Sequence, residues 1–372
     1  MQKILTWAFA ALLIAAPAMA GVFYDDGATT MHFAFEGSPN GDRPIVRAPA
    51  FYHADDGFGF VDSPLLTGNA QGVSAPKYFR FDVNLPDGNY DIAVTLGNPD
   101  YDSITTIKAE CHRAMVLDAA VAAGDSVTKV FTVNVQHGKR GDKEPLNSDG
   151  RLNLEFVGVD PSIMKLDIRP NPKAITVYLV GGSSVGDAEN GPEAGWGQML
   201  PLFFKPEEIA VSNRAIWIPP TQNSLPDNSP DEIAKTIKPG DWMLLQCGVN
   251  EGPAANRVQS FIDVARQHQA KCVLINSLPP GDLARNDIPL IDLNSMTTAF
   301  LEKLGSEGRS KAIDTNGRLS AYGAFEMAKL VAQGIKDQKL DLATHLTGNL
   351  TTNPDPSKFP VHLGYDYLIE KK

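Results

Sequence analysis

The hydrophobic period of this chain changes once, at Arg169-Pro170-Asn171-Pro172, and that change restricts what it can build. Upstream the period is two. Phe79, Phe81, Val83 and Leu85 alternate with Arg80, Asp82 and Asn84; a turn at Pro86-Asp87-Gly88-Asn89 follows, and Ile92, Val94 and Leu96 resume the alternation. Phe131, Val133 and Val135 repeat it, as do Leu152, Leu154 and Phe156. Short strands with one apolar and one wet face, punctuated by Gly, Pro and Asp, predict an all-β sandwich over 21–170. Two prolines in four residues resist both helix and central strand, so a domain boundary is expected at the junction.

Downstream, short apolar strands over 175–180, 208–211, 242–247, 273–276 and 289–292 alternate with amphipathic helices over 195–204, 254–269, 294–304 and 321–337. That order predicts an α/β domain at 173–346, with a doubly wound parallel sheet. The tail, 347–372, mixes proline and threonine with Phe359, Val361, Leu363, Tyr365 and Tyr367. It reads equally well as a solvated end or as a strap across a domain face.

Lys3, the apolar run 4–17 and Ala18-Met19-Ala20 have the form of an export signal, bacterial in style, with cleavage expected after Ala20 and a secreted or periplasmic destination. No later stretch reaches the roughly 18 apolar residues of a membrane span. The net charge is −11, and −12 once residues 1–20 and their single charge, Lys3, are removed. With no Lys/Arg block in it, such a surface disfavours nucleic acid and anionic membrane. Cys111 lies in the first half, while Cys247 ends one apolar run and Cys272 opens the next. On parallel neighbours those last two thiols stand at opposite ends of the sheet, beyond the Cα separation of about 7 Å that a disulfide spans. Free thiols are expected, and metal-ligand spacing is absent.

Ligands of open α/β sheets bind at the carboxyl ends of the strands. The first strand of the second half runs into Gly181-Gly182-Ser183-Ser184-Val185, which presents Ser183 there as a candidate nucleophile. The third ends in Gln246-Cys247-Gly248-Val249-Asn250-Glu251, where the Asn250 amide can donate to an oxyanion together with the Ser183 N–H. Bland readings stand beside these: a small residue suits a tight turn, Asn250 can bridge two loops, Trp196 suits a core, and Glu251 a solvated edge.

With Gly195-Trp196-Gly197-Gln198-Met199-Leu200-Pro201, Asn213-Arg214-Ala215, Ile237-Lys238-Pro239-Gly240-Asp241 and Tyr322-Gly323-Ala324, the second half resembles the SGNH hydrolases, in their rhamnogalacturonan acetylesterase branch, over about 176–346. Phe33-Ala34-Phe35-Glu36-Gly37, Gly57-Phe58-Gly59-Phe60 and 81–90 are similar to the galactose-binding-like sandwich that precedes many of these esterases. The resemblance implies a Gly-Asp-Ser turn, a second oxyanion N–H from a glycine, and a closing Asp-x-x-His. Here the turn acid is Gly182, the glycine's place falls at Ile218 before Pro219-Pro220, and the aspartate and histidine fall on Thr315 and Arg318.

Arginine stays protonated and cannot take the serine proton, although its fork suits a uronate carboxylate. Shifting by one reaches Asp314 but restores no histidine; His268 reads as a surface residue, His362 as a distant substitute, and His32, His53, His112 and His137 belong to the sandwich. Three readings stay open. One is a secreted pectin-binding pseudoenzyme with Ser183 unassisted and Arg318, Thr315 and Glu251 contacting polysaccharide or oligosaccharide, uronate-containing chains included. The second is an active O-acetylesterase with a base such as His362 or Glu251, and the third is an interaction protein. None of them calls for a cofactor or a metal.

Overall fold

The computed structural model describes residues 23–25, 30–36, 45–63, 65–69, 71–136, 150–188, 192–215, 230–247, 253–276, 287–359 and 361–363. The expected export signal, His137, Ile218, Asn250 and Glu251 lie outside the described residues.

Beside a small sheet of Thr67–Asn69, Gly72–Ser74 and Ser162–Ile163, the period-two region forms two large sheets face to face. One runs in the order Thr30–Phe35, Lys165–Pro170, Gly88–Leu96, Val127–Val135, and the other in the order Arg113–Val121, Ser103–Ala109, Arg151–Val159, Tyr78–Asn84, Phe58–Val61. Inward residues meet as the alternation dictates. Phe79 stacks on Phe156, its cross-strand partner, at 4.5 Å, and Phe81 meets Phe33 and Phe35 of the opposite sheet edge-on at 5.6 and 5.1 Å. Each such ring, fully buried, stabilises by about 1.5–3 kcal/mol.

The polar face of the second sheet is not wet, contrary to the expectation from its alternation. Asp82, Lys108, Asn153 and Glu155 are all buried. The α/β half and the chain beyond it lie against this sheet: Ala114 belongs to the α/β core, His362 Nδ1 lies 2.9 Å from Asp118 Oδ1, and Lys108 Nζ donates to the Leu363 carbonyl at 3.1 Å. Alternation reports which face is polar, not which face a later segment covers.

In the second half five strands form one parallel sheet, ordered Ile209–Asn213, Ile175–Val180, Trp242–Cys247, Lys271–Asn276, Leu290–Ile291. Helix Pro253–Gln267 buries Val258, Phe261, Ile262 and Ala265 against Met243, Leu245 and Leu274 on one face. Helices Leu293–Ala312 and Ala321–Asp337 cover the other, over Val177, Leu179, Leu244 and Val273. Ser320 caps the last helix, accepting from the Gly323 N–H at 3.1 Å, and a Cβ at Gly323 would stand 2.1 Å from the Ala312 carbonyl oxygen.

The helix expected over 294–304 ends there: Gly305, with φ 65°, leaves helical geometry, and a second helical stretch follows it to Ala312. Another helix expectation needs correction. The helix expected over 195–204 is one α turn, Trp196–Met199, followed by the 3-10 turn Leu200–Phe203, in which Pro201 has no N–H to give an α ladder.

The segment 347–359 is a strap. Tyr322 Oη donates to the Asn353 carbonyl at 2.7 Å, the Asn353 N–H donates to Glu326 at 2.8 Å, and Phe359 packs 5.8 Å from the rings of both Tyr322 and Phe325. The junction at the prolines is likewise anchored. Asn171 Nδ2 donates to Asp91 at 3.0 Å and to the Glu207 carbonyl at 2.9 Å, bonding to both halves. Cys247 and Cys272 stand at opposite ends of adjacent strands, and among the described residues neither Cys111 nor Cys272 is in a disulfide.

Candidate active site

Strand Ile175–Val180 is flanked by the strands that follow it in opposite directions along the sheet, so its carboxyl end is a topological switch point. The turn carrying Ser183 begins there. The Gly182 carbonyl accepts from the N–H groups of both Val185 and Gly186 at 2.9 Å. Gly181 has no room for a side chain, since a Cβ would stand 2.5 Å from Val185 Cγ2, whereas Gly182 faces open space. Sterics therefore do not explain why an acid is missing at 182. Ser183 itself is half-buried.

The Gly195-Trp196-Gly197 motif is packed onto this turn. The Trp196 N–H donates to the Ser184 carbonyl at 2.8 Å, Trp196 Nε1 donates to Gln246 Oε1 at 2.6 Å, and Gln246 Nε2 donates to Ser184 Oγ at 2.6 Å. Trp196 is 1% exposed, a core residue as its bland reading held. A Cβ at Gly195 would stand 2.1 Å from the Gly186 carbonyl oxygen, and one at Gly197 2.4 Å from that of Val185. Both glycines permit a backbone contact that no other residue allows.

At the other end of the site, Asp314 folds a tight turn. Its Oδ1 accepts from the N–H groups of Asn316 and Arg318, each at 2.8 Å, and its own N–H donates to the Arg318 carbonyl at 2.9 Å. Those bonds, the Arg318 N–H foremost, hold the Asp314 carboxyl below its usual range. Asp314 is thus a turn former. Thr315 is exposed at the tip, and the half-buried Arg318 donates through Nη1 to Glu193 Oε2.

The two loops are joined by backbone as well: the Ala194 N–H donates to the Leu319 carbonyl at 2.9 Å and the Ala321 N–H to that of Pro192 at 3.2 Å. Since Gly195 and Trp196 pack on the Ser183 turn, Arg318 and Ser183 share one edge of the sheet. Glu193 was not foreseen. Its place just ahead of Gly195-Trp196-Gly197 was the available signal, but a lone glutamate before a glycine has no pattern to mark it.

The described histidines are placed elsewhere. His32 lies 2.5 Å from Asp167, His112 2.8 Å from Glu155, and His345 2.7 Å from Glu208, which precedes its strand at the edge opposite Ser183. His268 follows helix Pro253–Gln267 at that same opposite edge. His362 pairs with Asp118 of strand Arg113–Val121, Nδ1 to Oδ1 at 2.9 Å. Among the described residues, no group of three His, Cys, Asp or Glu side chains is placed to hold a metal.

No protein-family model matches the chain. It is 28% identical over 345 residues to the uncharacterized esterase YxiM of Bacillus subtilis, covering 79% of this chain and 87% of that protein. It is 29% identical over 221 residues to the rhamnogalacturonan acetylesterase RhgT of Bacillus subtilis, covering 47% of this chain and 95% of the relative. With the probable rhamnogalacturonan acetylesterase YesY of the same organism the identity is 30% over 209 residues, covering 45% and 94%. The crystal structure of the YxiM protein superposes at a TM-score of 0.41 with 24% identity, covering 84% of this chain and 99% of that one. With nearly the whole length of YesY matched at that identity, the chain belongs to the SGNH-type esterase family of the rhamnogalacturonan acetylesterases.

Proposed function

We propose that this protein is an exported, two-domain relative of the rhamnogalacturonan acetylesterases that binds pectic or related polysaccharide and has lost, or nearly lost, deacetylation. In this reading the galactose-binding-like sandwich spans 21–170 and the SGNH domain 173–346. Among the described residues no helix is long and apolar enough to cross a membrane.

The observation that carries the reading is the Arg318–Glu193 ion pair at the position of the family's base. Acyl transfer needs a group near neutrality to take the serine proton and return it to the leaving oxygen. A guanidinium does neither. In this reading Arg318 supplies no base to Ser183, Asn250 and Ile218 are its oxyanion-side neighbours, and Arg318, Thr315 and Glu251 are the proposed sugar contacts. Calorimetry with acetylated and deacetylated rhamnogalacturonan oligosaccharides tests this: saturable binding of either is expected, and no binding of any pectic oligosaccharide would refute it.

A second reading, an active O-acetylesterase, is favoured by the names of the relatives and by the retained Ser183. Glu193 is a carboxylate on the same edge, held in its ion pair with Arg318.

A further inference from the structure

The all-β half reaches into the α/β half through one tight turn. Glu110 and His112 both take left-handed φ, 55° and 59°, which turns strand Ser103–Ala109 back into Arg113–Val121 and pushes Cys111 and Arg113 forward. Arg113 is 4% exposed. Its Nε and Nη2 both donate to Asp187 Oδ2, at 3.2 and 3.0 Å, and Nη1 donates to the Val211 carbonyl at 3.3 Å. Burial works against the charged guanidinium, but Asp187 chiefly, with Cys111 and Glu110, outweighs it and holds Arg113 above its ordinary value.

Asp187 is four residues beyond Ser183. Its other oxygen accepts from Asn213 Nδ2 at 2.6 Å, and the same Nδ2 donates to the Val185 carbonyl at 2.9 Å, inside the Ser183 turn. From the same hairpin the Cys111 carbonyl accepts from Gln198 Nε2 at 2.8 Å. Gln198 also donates to the Ala188 carbonyl at 3.2 Å and accepts from the Gly195 N–H at 3.1 Å. The hairpin thus fixes the chain leaving the turn at Asp187 and, through Gln198, at Ala188 and Gly195. These bonds add to those that Trp196 and Gln246 make to Ser184, so the turn is held from two sides.

We infer that Arg113 is a positioning residue for the Ser183 turn, so that the β-sandwich is a working part of the carboxyl-edge site. The inference goes beyond the proposed function and holds whether that edge hydrolyses or only binds. Asp187 without Arg113 is a buried charge with its counter-ion removed, and relief requires water or movement of the segment that carries it.

Hydrogen exchange on the full mature chain reads the turn without reference to turnover. In Arg113→Met the amides of Val185, Gly186 and Trp196, bonded to Gly182 and Ser184, are expected to lose protection by at least about tenfold, as a local opening does. Amides within Tyr78–Asn84 and Lys271–Asn276 are expected to keep theirs. Arg113→Lys restores part of the protection, and Asp187→Asn repeats the loss more weakly. Unchanged protection at the three amides overturns the inference, as does an equal loss in all strands, which marks Arg113 as a general stabiliser. If Arg113→Met does not fold, Asp187→Asn carries the test by the same criterion.

Discussion

Arg318 and Glu193 form an ion pair between the Asp314 turn and the loop that leads into Gly195-Trp196-Gly197. The pair closes the guanidinium on the protein itself, so an incoming uronate must compete with Glu193. Glu193→Gln is expected to strengthen binding of galacturonate-containing oligosaccharides and make it more salt-sensitive. Arg318→Ala is expected to weaken it by about 1.5–3 kcal/mol, the range of a hydrogen bond to a charged group. Titration calorimetry at two salt concentrations checks both; equal affinities across the three proteins would remove Arg318 from the ligand site.

Lys108 provides a pH test of the covered sheet. Burial pushes its ammonium down from 10.5 to about 8, with Glu155 pulling the other way. Between those values the unfolded chain binds more protons than the folded one, so this group makes stability rise with pH across the window. Below about pH 8 both states hold the proton and the full cost, roughly 3 kcal/mol, persists. Relative to Lys108→Met, the parent protein should therefore gain most of that amount between pH 7.5 and 10.5 in denaturant melts. Parallel profiles would show Lys108 to be solvated.

Gly197→Ala places a Cβ 2.4 Å from the Val185 carbonyl oxygen and 2.6 Å from Asn213 Nδ2. Overpacking of that kind costs about 1–3 kcal/mol. Gly182→Ala, which meets open space, should cost less in the same urea melts. A reversal of that order would mean that the close packing of Trp196 on the Ser183 turn is wrong.

The strap is tested by Phe359→Ala and Tyr322→Phe. The first removes a ring from a cluster with Tyr322 and Phe325 and should cost about 2 kcal/mol; the second removes one bond to Asn353 and should cost about 1 kcal/mol. Limited proteolysis should also cut the 347–359 segment faster in Phe359→Ala. No change in either readout would return the segment to a solvated tail.

Much of this arrangement was legible before the structure. Alternation around Phe79 and Phe81 revealed the sandwich core, Pro170 and Pro172 marked the change of architecture, and helix Ala321–Asp337 agreed to the residue because Ser320 supplies a cap and Gly323 a close contact. What escaped is non-local. Lys108 and Asp118 look like solvent residues until a segment hundreds of residues away bonds to them, and Glu193 and Arg113 carry no motif, since their partners are chosen by folding.

Acetate release from acetylated rhamnogalacturonan, measured for the full protein beside Ser183→Ala, bears most directly on the claim that the esterase scaffold has lost its base. The account predicts feeble release, insensitive to Ser183→Ala and no greater than the residual 10³ to 10⁴ over water that binding and oxyanion contacts supply when triad members are missing. Robust release abolished by Ser183→Ala would contradict it and establish a working base on the Ser183 edge.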